Sequence, residues 1–437
     1  LLNIVDVDED PAYHWQDRSG KWLLSAYYAT GRVAVHGLQD DGSFDTNVKP
    51  RWVDTADKAH YIEGDANNND AKSAQAITVP STINGRIESE ADIDCFVFEA
   101  KKGEKYSFEV MARRAGSALD PHLRILDASG KQLSLNDDFR RLKRLTQDSQ
   151  VENFSVPADG KYVIEVRDVH LRGGPRHVYA IRTTRATPHF ELFLDSDKTQ
   201  LSPGIHGAIF VRVERHNGFS GAIDLDVAHL PKGVTARCGR ILPTGTDGCI
   251  ILAAAADAKP DISNITVSGT EIQTAKAPTG PPLSNVARPM QETYMPGGGR
   301  NHWPVDTHAV NVGELSDIRS IQLSTQAVTL KPGASTTITV NFKRAPGFTK
   351  NVTLDVLFQH LGTVYGNSLP KGVTIDAAAS KTLITGKASQ GQIVLKAAKD
   401  APPVKNQQIA VMANISINFV MKATYSSSPL MVTVTKP

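Results

Sequence analysis

The segment Thr337-Ile338-Thr339-Val340-Asn341-Phe342 alternates polar and apolar residues with a period of two. Successive side chains of an extended chain point to opposite faces, so this run reads as a strand with one buried face. Tyr106-Ser107-Phe108-Glu109-Val110 and Tyr162-Val163-Ile164-Glu165-Val166 have the same character. Gly, Pro, Asn and Asp separate such runs along most of the chain, and these residues favour turns. No long amphipathic helix is visible; Ala71 to Ile77 and Phe139 to Asp148 are each expected to hold a short helical turn or two. The expected fold class is all-β, built as tandem β-sandwiches.

A chain of 437 residues is long enough for about three domains with their own cores. Hydrophobic residues make up 40% and charged residues 22%, a globular rather than disordered balance. With 48 Lys plus Arg against 46 Asp plus Glu, the formal charge of +2 gives no footprint for nucleic acid or an anionic membrane. No apolar run approaches the roughly 18–20 residues of a transmembrane helix. The chain opens at Leu1 without a Met or a signal-peptide pattern, which reads as a processed or truncated piece of a longer precursor.

An internal repeat gives the organisation of the second half. Leu201-Ser202-Pro203-Gly204 is echoed by Leu330-Lys331-Pro332-Gly333, and Arg215 to Phe219 by Arg344 to Phe348. Ile223 to Val227 is echoed by Val352 to Val356, at the same offset of 129. The hexapeptide Leu-Pro-Lys-Gly-Val-Thr recurs at Leu230 and Leu369, an offset of 139, so the second copy carries about ten extra residues near Phe358 to Asn367. An insertion of that size is expected in a loop. The domains read as a partial N-terminal β module or packing extension (1–58), a β-sandwich (59–186), an Ig-like sandwich (187–274), a Pro/Gly-rich linker or arm (275–316) and a second Ig-like sandwich (317–437). In the first of these, Trp22 to Tyr28 and Arg32 to His36 are expected to be two strands of a sheet whose other strands lie elsewhere.

Residues from about 61 to 185 carry a further pattern. Glu63-Gly64-Asp65-Ala66-Asn67-Asn68-Asn69-Asp70 leads to Ile83-Asn84-Gly85-Arg86-Ile87 and Asp92-Ile93-Asp94-Cys95-Phe96-Val97-Phe98. Leu126-Asp127-Ala128-Ser129-Gly130, Asn136-Asp137-Asp138, Asp159-Gly160-Lys161-Tyr162 and Gly173-Gly174 follow. This segment resembles the bacterial pre-peptidase C-terminal domain, a jelly-roll-like sandwich appended to secreted proteases and collagenases and found in large exported bacterial proteins. The repeated sandwiches after it resemble the Ig-like modules that often follow it. In collagenase-type members, calcium is held between an acidic, Asn-containing segment and an acidic turn. The resemblance carries that role to Asp65, Asn67, Asn69 and Asp70, with Ser89, Asp92 and Asp94. Asp65-Ala66 stands where the family has Glu-Pro, and one Asn is extra, which leaves the register of the individual ligands open.

The residue types agree with that chemistry, because calcium takes six to eight oxygen ligands from carboxylates, amides and carbonyls. The competing reading is that Asn and Asp simply populate turns; it applies equally to a second cluster of Asn136, Asp137 and Asp138 with Asp120 and Asp127. Catalytic signatures fail: there is no His-Glu-x-x-His, no Gly-x-Ser-x-Gly and no phosphate-binding Gly loop. His170 and His177 flank a Gly-Gly turn and read as surface-loop residues. Cys238 and Cys249 flank a turn-rich segment and are expected to form a disulfide across a hairpin, as an oxidising compartment allows. Cys95 reads as a small buried residue. Aromatic residues near the N-terminus, and Tyr294 and Trp303 in the arm, read as core or as a partner surface.

The expected function is a non-catalytic exported binding or structural protein, periplasmic, cell-surface or secreted. Its partners would be proteins of an extracytoplasmic assembly or cell-surface glycans. The alternatives are the accessory C-terminal region of a secreted hydrolase, such as a peptidase with its catalytic domain upstream, and an array of carbohydrate-binding modules.

Overall fold

The computed structural model describes residues 13–16, 22–27, 32–37, 39, 51–54, 59–63, 68–141, 144–243, 245–273, 281–295, 299–314, 316–360, 363–417 and 422–436. The molecule is almost entirely β, and the described residues include one short 3-10 turn, Arg113–Ala115. Of the two expected helical turns, residues 71–73 form a hydrogen-bonded turn that leads into the short strand Gln75–Ala76, whereas Phe139–Arg141 is extended and pairs with Arg144–Thr146. The chain forms two compact units, residues 1–187 and 188–437.

The first unit opens with a four-stranded antiparallel meander, Tyr13–Gln16, Trp22–Tyr27, Arg32–Gly37 and Arg51–Asp54. The partners of the two expected N-terminal strands are therefore local in sequence. Two five-stranded sheets follow and enclose one core. The first runs in the order Gln132–Asn136, Pro121–Asp127, Gly160–Asp168, Ile93–Ala100, Gln75–Ala76. The second runs Gln150–Ser155, Lys105–Met111, Val178–Arg185, Ser81–Arg86, Ala59–Ile62. Their inner faces supply Phe96, Phe98, Tyr106, Phe108, Ile164 and Ile181, all buried. Alternation decides the rest: Cys95 and Val97 point to the other side of their strand, where Ala71 and Ala74 cover them. The hairpin at Asp127-Ala128-Ser129-Gly130 is built as its residues dictate. Asp127 Oδ1 accepts from Ser129 N at 2.9 Å and Lys131 N at 3.1 Å, and Gly130 takes the left-handed φ of 85°.

The second unit contains both copies of the repeat, and the repeated residues do the same work twice. The Arg215 guanidinium lies over Phe219, 5.2 Å from the ring centroid, and donates to Gly221 O. Its counterpart Arg344 lies over Phe348 at 5.6 Å and donates to Lys350 O. Lys198–Leu201 pairs in parallel with His308–Val312, as Ala327–Leu330 pairs with Leu430–Val434. His308–Val312 is thus the closing strand of the first Ig-like sandwich. The stretch 275–316, expected to be a linker or arm, therefore contains a strand of that sandwich. Its described parts are strands: Ser284–Val286 joins Asp261–Ile272, and Arg288–Met295 pairs with both His189–Leu194 and Gly299–Pro304.

The two Ig-like sandwiches are packed together. Phe210, Cys249 and Ile251 of the first meet Ala410 and Met412 of the second. The ten-residue insertion is the hairpin Phe358–His360 and Thr363–Gly366, and Phe358 stacks on Phe210 with centroids 5.7 Å apart and planes 10° apart. A Cβ on Gly366 would lie 2.4 Å from Phe210 Cγ, so this approach requires glycine. The buried Gln408 amide donates to Arg237 O at 2.8 Å and Cys249 O at 3.1 Å.

The expected Cys238–Cys249 disulfide is absent; all three cysteines are free thiols. Cys238 sits opposite Ile250, one residue out of register with Cys249. A one-residue offset puts the two side chains on opposite faces of the sheet. Cys238 packs into the core of the first Ig-like sandwich, whereas Cys249 packs at the interface with the second.

Candidate functional site

Asp94 occupies an inward position of its strand, in phase with Phe96 and Phe98, and is fully buried at 0% exposure. A charged carboxylate there is costly unless something compensates it. Tyr179, itself buried on the facing sheet, donates its hydroxyl to Asp94 Oδ2 at 2.7 Å. Asp94 Oδ1 has no hydrogen-bond donor. Burial, followed by the neighbouring Glu63 carboxylate, pushes the Asp94 carboxyl up to about 9. Burial beside Asp94 and Glu63 likewise drives the Tyr179 phenol well above its ordinary range.

Glu63 is delivered by the parallel pairing of Ala59–Ile62 with Ser81–Arg86, and its Oε2 accepts from Arg86 N at 2.8 Å. Gly85 lies opposite Tyr179, and a Cβ there would stand 2.3 Å from the tyrosine oxygen and 2.7 Å from Glu63 Oε2. Only a glycine lets the phenol and the two carboxylates converge. Asn68 lies in the following segment, its backbone carbonyl accepting from Cys95 N at 2.9 Å. The Asn68 side chain is 5% exposed, and neither its oxygen nor its nitrogen has a hydrogen-bond partner.

Among the expected site residues, Asp92 belongs to the same neighbourhood. Its Oδ2 accepts from Glu88 N at 2.6 Å and its Oδ1 from Ile93 N at 3.0 Å. With the Asn69 amide oriented to suit its surroundings, its nitrogen donates to Ile93 O at 2.7 Å and Asp92 Oδ1 at 3.0 Å. Ser89 is fixed by its backbone: a Cβ on Gly173 would fall 2.0 Å from Ser89 O, so the Gly173-Gly174 loop clasps the Ser89 turn. Asp70 is taken up by its own turn, with Oδ1 accepting from Lys72 N and from both the backbone and hydroxyl of Ser73, each at 2.8 Å. These donors lower its carboxyl below the usual range. Asp65 and Asn67 lie outside the described residues.

The second acidic cluster assembles only in part: burial and then the nearby Asp138 carboxylate raise the Asp120 carboxyl, whereas Asp127 is remote. Asp120 and Asp127 stand at opposite ends of Pro121–Asp127, about 20 Å apart at strand rise. Asp127 closes its hairpin, and Asn136 accepts from Gln150 N while donating to Asp138 O. His170 and His177 flank the glycine loop that clasps residues 87–91, and the His170 backbone N–H donates to Asp168. Trp303 is half exposed on its hairpin strand.

No family model matches the chain. A stretch of 81 residues, 18% of the chain, is 42% identical to a protein of Deinococcus radiodurans described as a probable subtilase-type serine protease. The chain spans about a tenth of that relative's length. Among solved structures, the D0–D1 domain of intimin is 12% identical, covering 56% of this chain and 99% of that one, with a TM-score of 0.19. Domains 4–9 of the surface layer protein SbsC are 11% identical, covering 97% and 47%, with a TM-score of 0.22. Scores this low carry no weight for the fold, which rests on the strand pairing above. No helix among the described residues is long and apolar enough to cross a membrane.

Proposed function

We propose that this chain is a non-catalytic extracytoplasmic binding or structural protein whose first β-sandwich is of the pre-peptidase C-terminal type and is stiffened by calcium. The observation that supports the calcium reading is the orphaned oxygen of Asp94. A buried carboxylate that faces a second carboxylate is a donor pair suited to a hard cation, and the buried Asn68 amide, without a hydrogen-bond partner, belongs to a segment bonded to the same strand at Cys95 N. Glu63, Asn68, Asp92 and Asp94 would hold the ion, with Asp65, Asn67 and Ser89 as further candidates. The cation would supply the positive charge that two facing carboxylates otherwise have to find in a proton. Bound there, it would tie the segment leading into the sandwich to the strand Ile93–Ala100. In the second unit the joined Ig-like sandwiches would serve as a rigid spacer or docking surface.

Calorimetric titration of calcium into the chelator-treated chain, with thermal melts in parallel, tests this reading. Calcium should release or absorb heat with saturating stoichiometry and raise the Tm, and Asp94→Ala should abolish both. An unchanged Tm and no heat would leave the cluster as an ordinary buried acid. A second reading, the accessory region of a secreted peptidase, draws on the 81-residue similarity to the subtilase-type protease. A catalytic domain in the gene upstream of Leu1 would favour it.

A further inference from the structure

The first Ig-like sandwich carries a block of four polar side chains on the face turned away from its core. In the antiparallel pair His189–Leu194 and His206–His216, His189 lies opposite His216 and Glu191 lies opposite Glu214. Alternation puts all four on one side of the sheet, while Phe190, Leu192, Val211 and Val213 fill the core on the other. The two imidazoles stack with centroids 4.7 Å apart and 19° between planes. His216 Nε2 lies 3.5 Å from Glu191 Oε2. One oxygen from each glutamate and a ring nitrogen of His216 all fall within 4.8 Å of one another.

Glu191 and Glu214 stand directly opposite each other across the antiparallel pair, so a cation seated there would meet one carboxylate from each strand. We propose that Glu191, Glu214 and His216 bind one divalent d-block cation of the zinc class, with water completing its coordination. The chemistry selects that class. An imidazole nitrogen with two carboxylates suits zinc and its neighbours, whereas calcium and magnesium prefer all-oxygen sets. Three protein ligands plus water is also the ordinary composition of an open zinc site. The six-residue register between the strands holds the ligands at a fixed spacing before the ion arrives. His189, stacked on His216, is a positioning residue that sets the plane of the liganding ring.

The site lies in the second unit and uses different chemistry from the calcium reading, so either can fail alone. The test is calorimetric titration of Zn2+ into the full chain, stripped with chelator and then held in excess Ca2+, with Co2+ absorption spectra as a second readout. One equivalent of Zn2+ should bind, and Co2+ should develop ligand-field bands. Glu214→Gln and His216→Ala, each checked for native circular dichroism, should weaken binding by about 100-fold or more, since even outer-shell partners of metal ligands are worth about 10–100-fold. Absence of heat and of cobalt bands overturns the proposal, as does zinc binding unchanged in both variants. So does a block that is stabilised by acidification alone and indifferent to zinc, because a protonated His216 paired with Glu191 would then account for it.

Discussion

Tyr179 and Asp94 lie 85 residues apart in sequence and on opposite sheets of the first sandwich, yet the phenol donates to the buried carboxylate at 2.7 Å. The bond joins the two sheets across the core. Removing the hydroxyl in Tyr179→Phe leaves a second Asp94 oxygen without a donor. An unsatisfied buried acceptor costs about 1–3 kcal/mol. Urea titration of calcium-free protein should show a loss of that size, read as a lower midpoint at unchanged m-value.

Asp94→Asn separates the acid from its charge. The introduced amide would keep an oxygen for Tyr179 and present an N–H toward Glu63, as a protonated Asp94 does with its O–H. The calcium-free variant should therefore be at least as stable as the parent at neutral pH, because burial and Glu63 oppose ionisation of the native acid. Its Tm should no longer respond to calcium. A variant that melts lower than the parent without calcium would show that Asp94 is held ionised by groups other than a cation.

Much of this fold is written in the alternation. Asp94-x-Phe96-x-Phe98 places an acid in phase with the core, an anomaly that marks the site from sequence alone. Asp92 is equally legible as an acid in a turn. Glu63, Asn68 and Tyr179 are not, because their part depends on a parallel pairing and on a strand far along the chain. His308–Val312 is hidden for a similar reason. Its buried–half-buried alternation is plain, but it closes a sandwich that begins more than a hundred residues earlier, behind a Pro/Gly-rich stretch that reads as a linker. The disulfide expectation counts sequence spacing between two cysteines, whereas strand register decides which face each one takes.

The hairpin insertion packs the second Ig-like sandwich against the first, and its contacts should couple their unfolding. Phe358 stacks on Phe210, and Tyr365 from the same hairpin contacts Phe358 and His302. Phe358→Ala should cost about 2 kcal/mol, the order expected for an aromatic side chain that is partly buried. Because the lost contact lies between sandwiches rather than within either core, calorimetry of the second unit should change from one transition towards two. A single transition shifted as a whole would mean that the paired strands and the Gln408 bonds suffice to couple them.

His308 gives the second unit an acid-sensitive point. The imidazole is fully buried between strands; Nδ1–H donates to Ser196 O at 2.9 Å, and Nε2 accepts from the Thr199 hydroxyl at 2.8 Å. Burial holds its pKa below the ordinary 6.5, against the opposing pull of the Ser196 carbonyl and of Asp197. The unfolded chain therefore takes up a proton at a pH where the folded chain does not. The stability linked to His308 is complete above about pH 6.5 and is lost as the pH falls towards the folded-state value. His206, lowered by burial alone, adds a contribution of the same sign. Melts between pH 7.5 and about 4.5 should show a steep acid limb. In His308→Gln that limb should be shallower although the neutral-pH Tm is lower, since the hydrogen bonds to Ser196 and Thr199 are disturbed. An acid limb equally steep in the variant would assign the loss to carboxylates instead, such as Asp261, whose pKa is lowered by the N–H groups of Lys232 and Ile262.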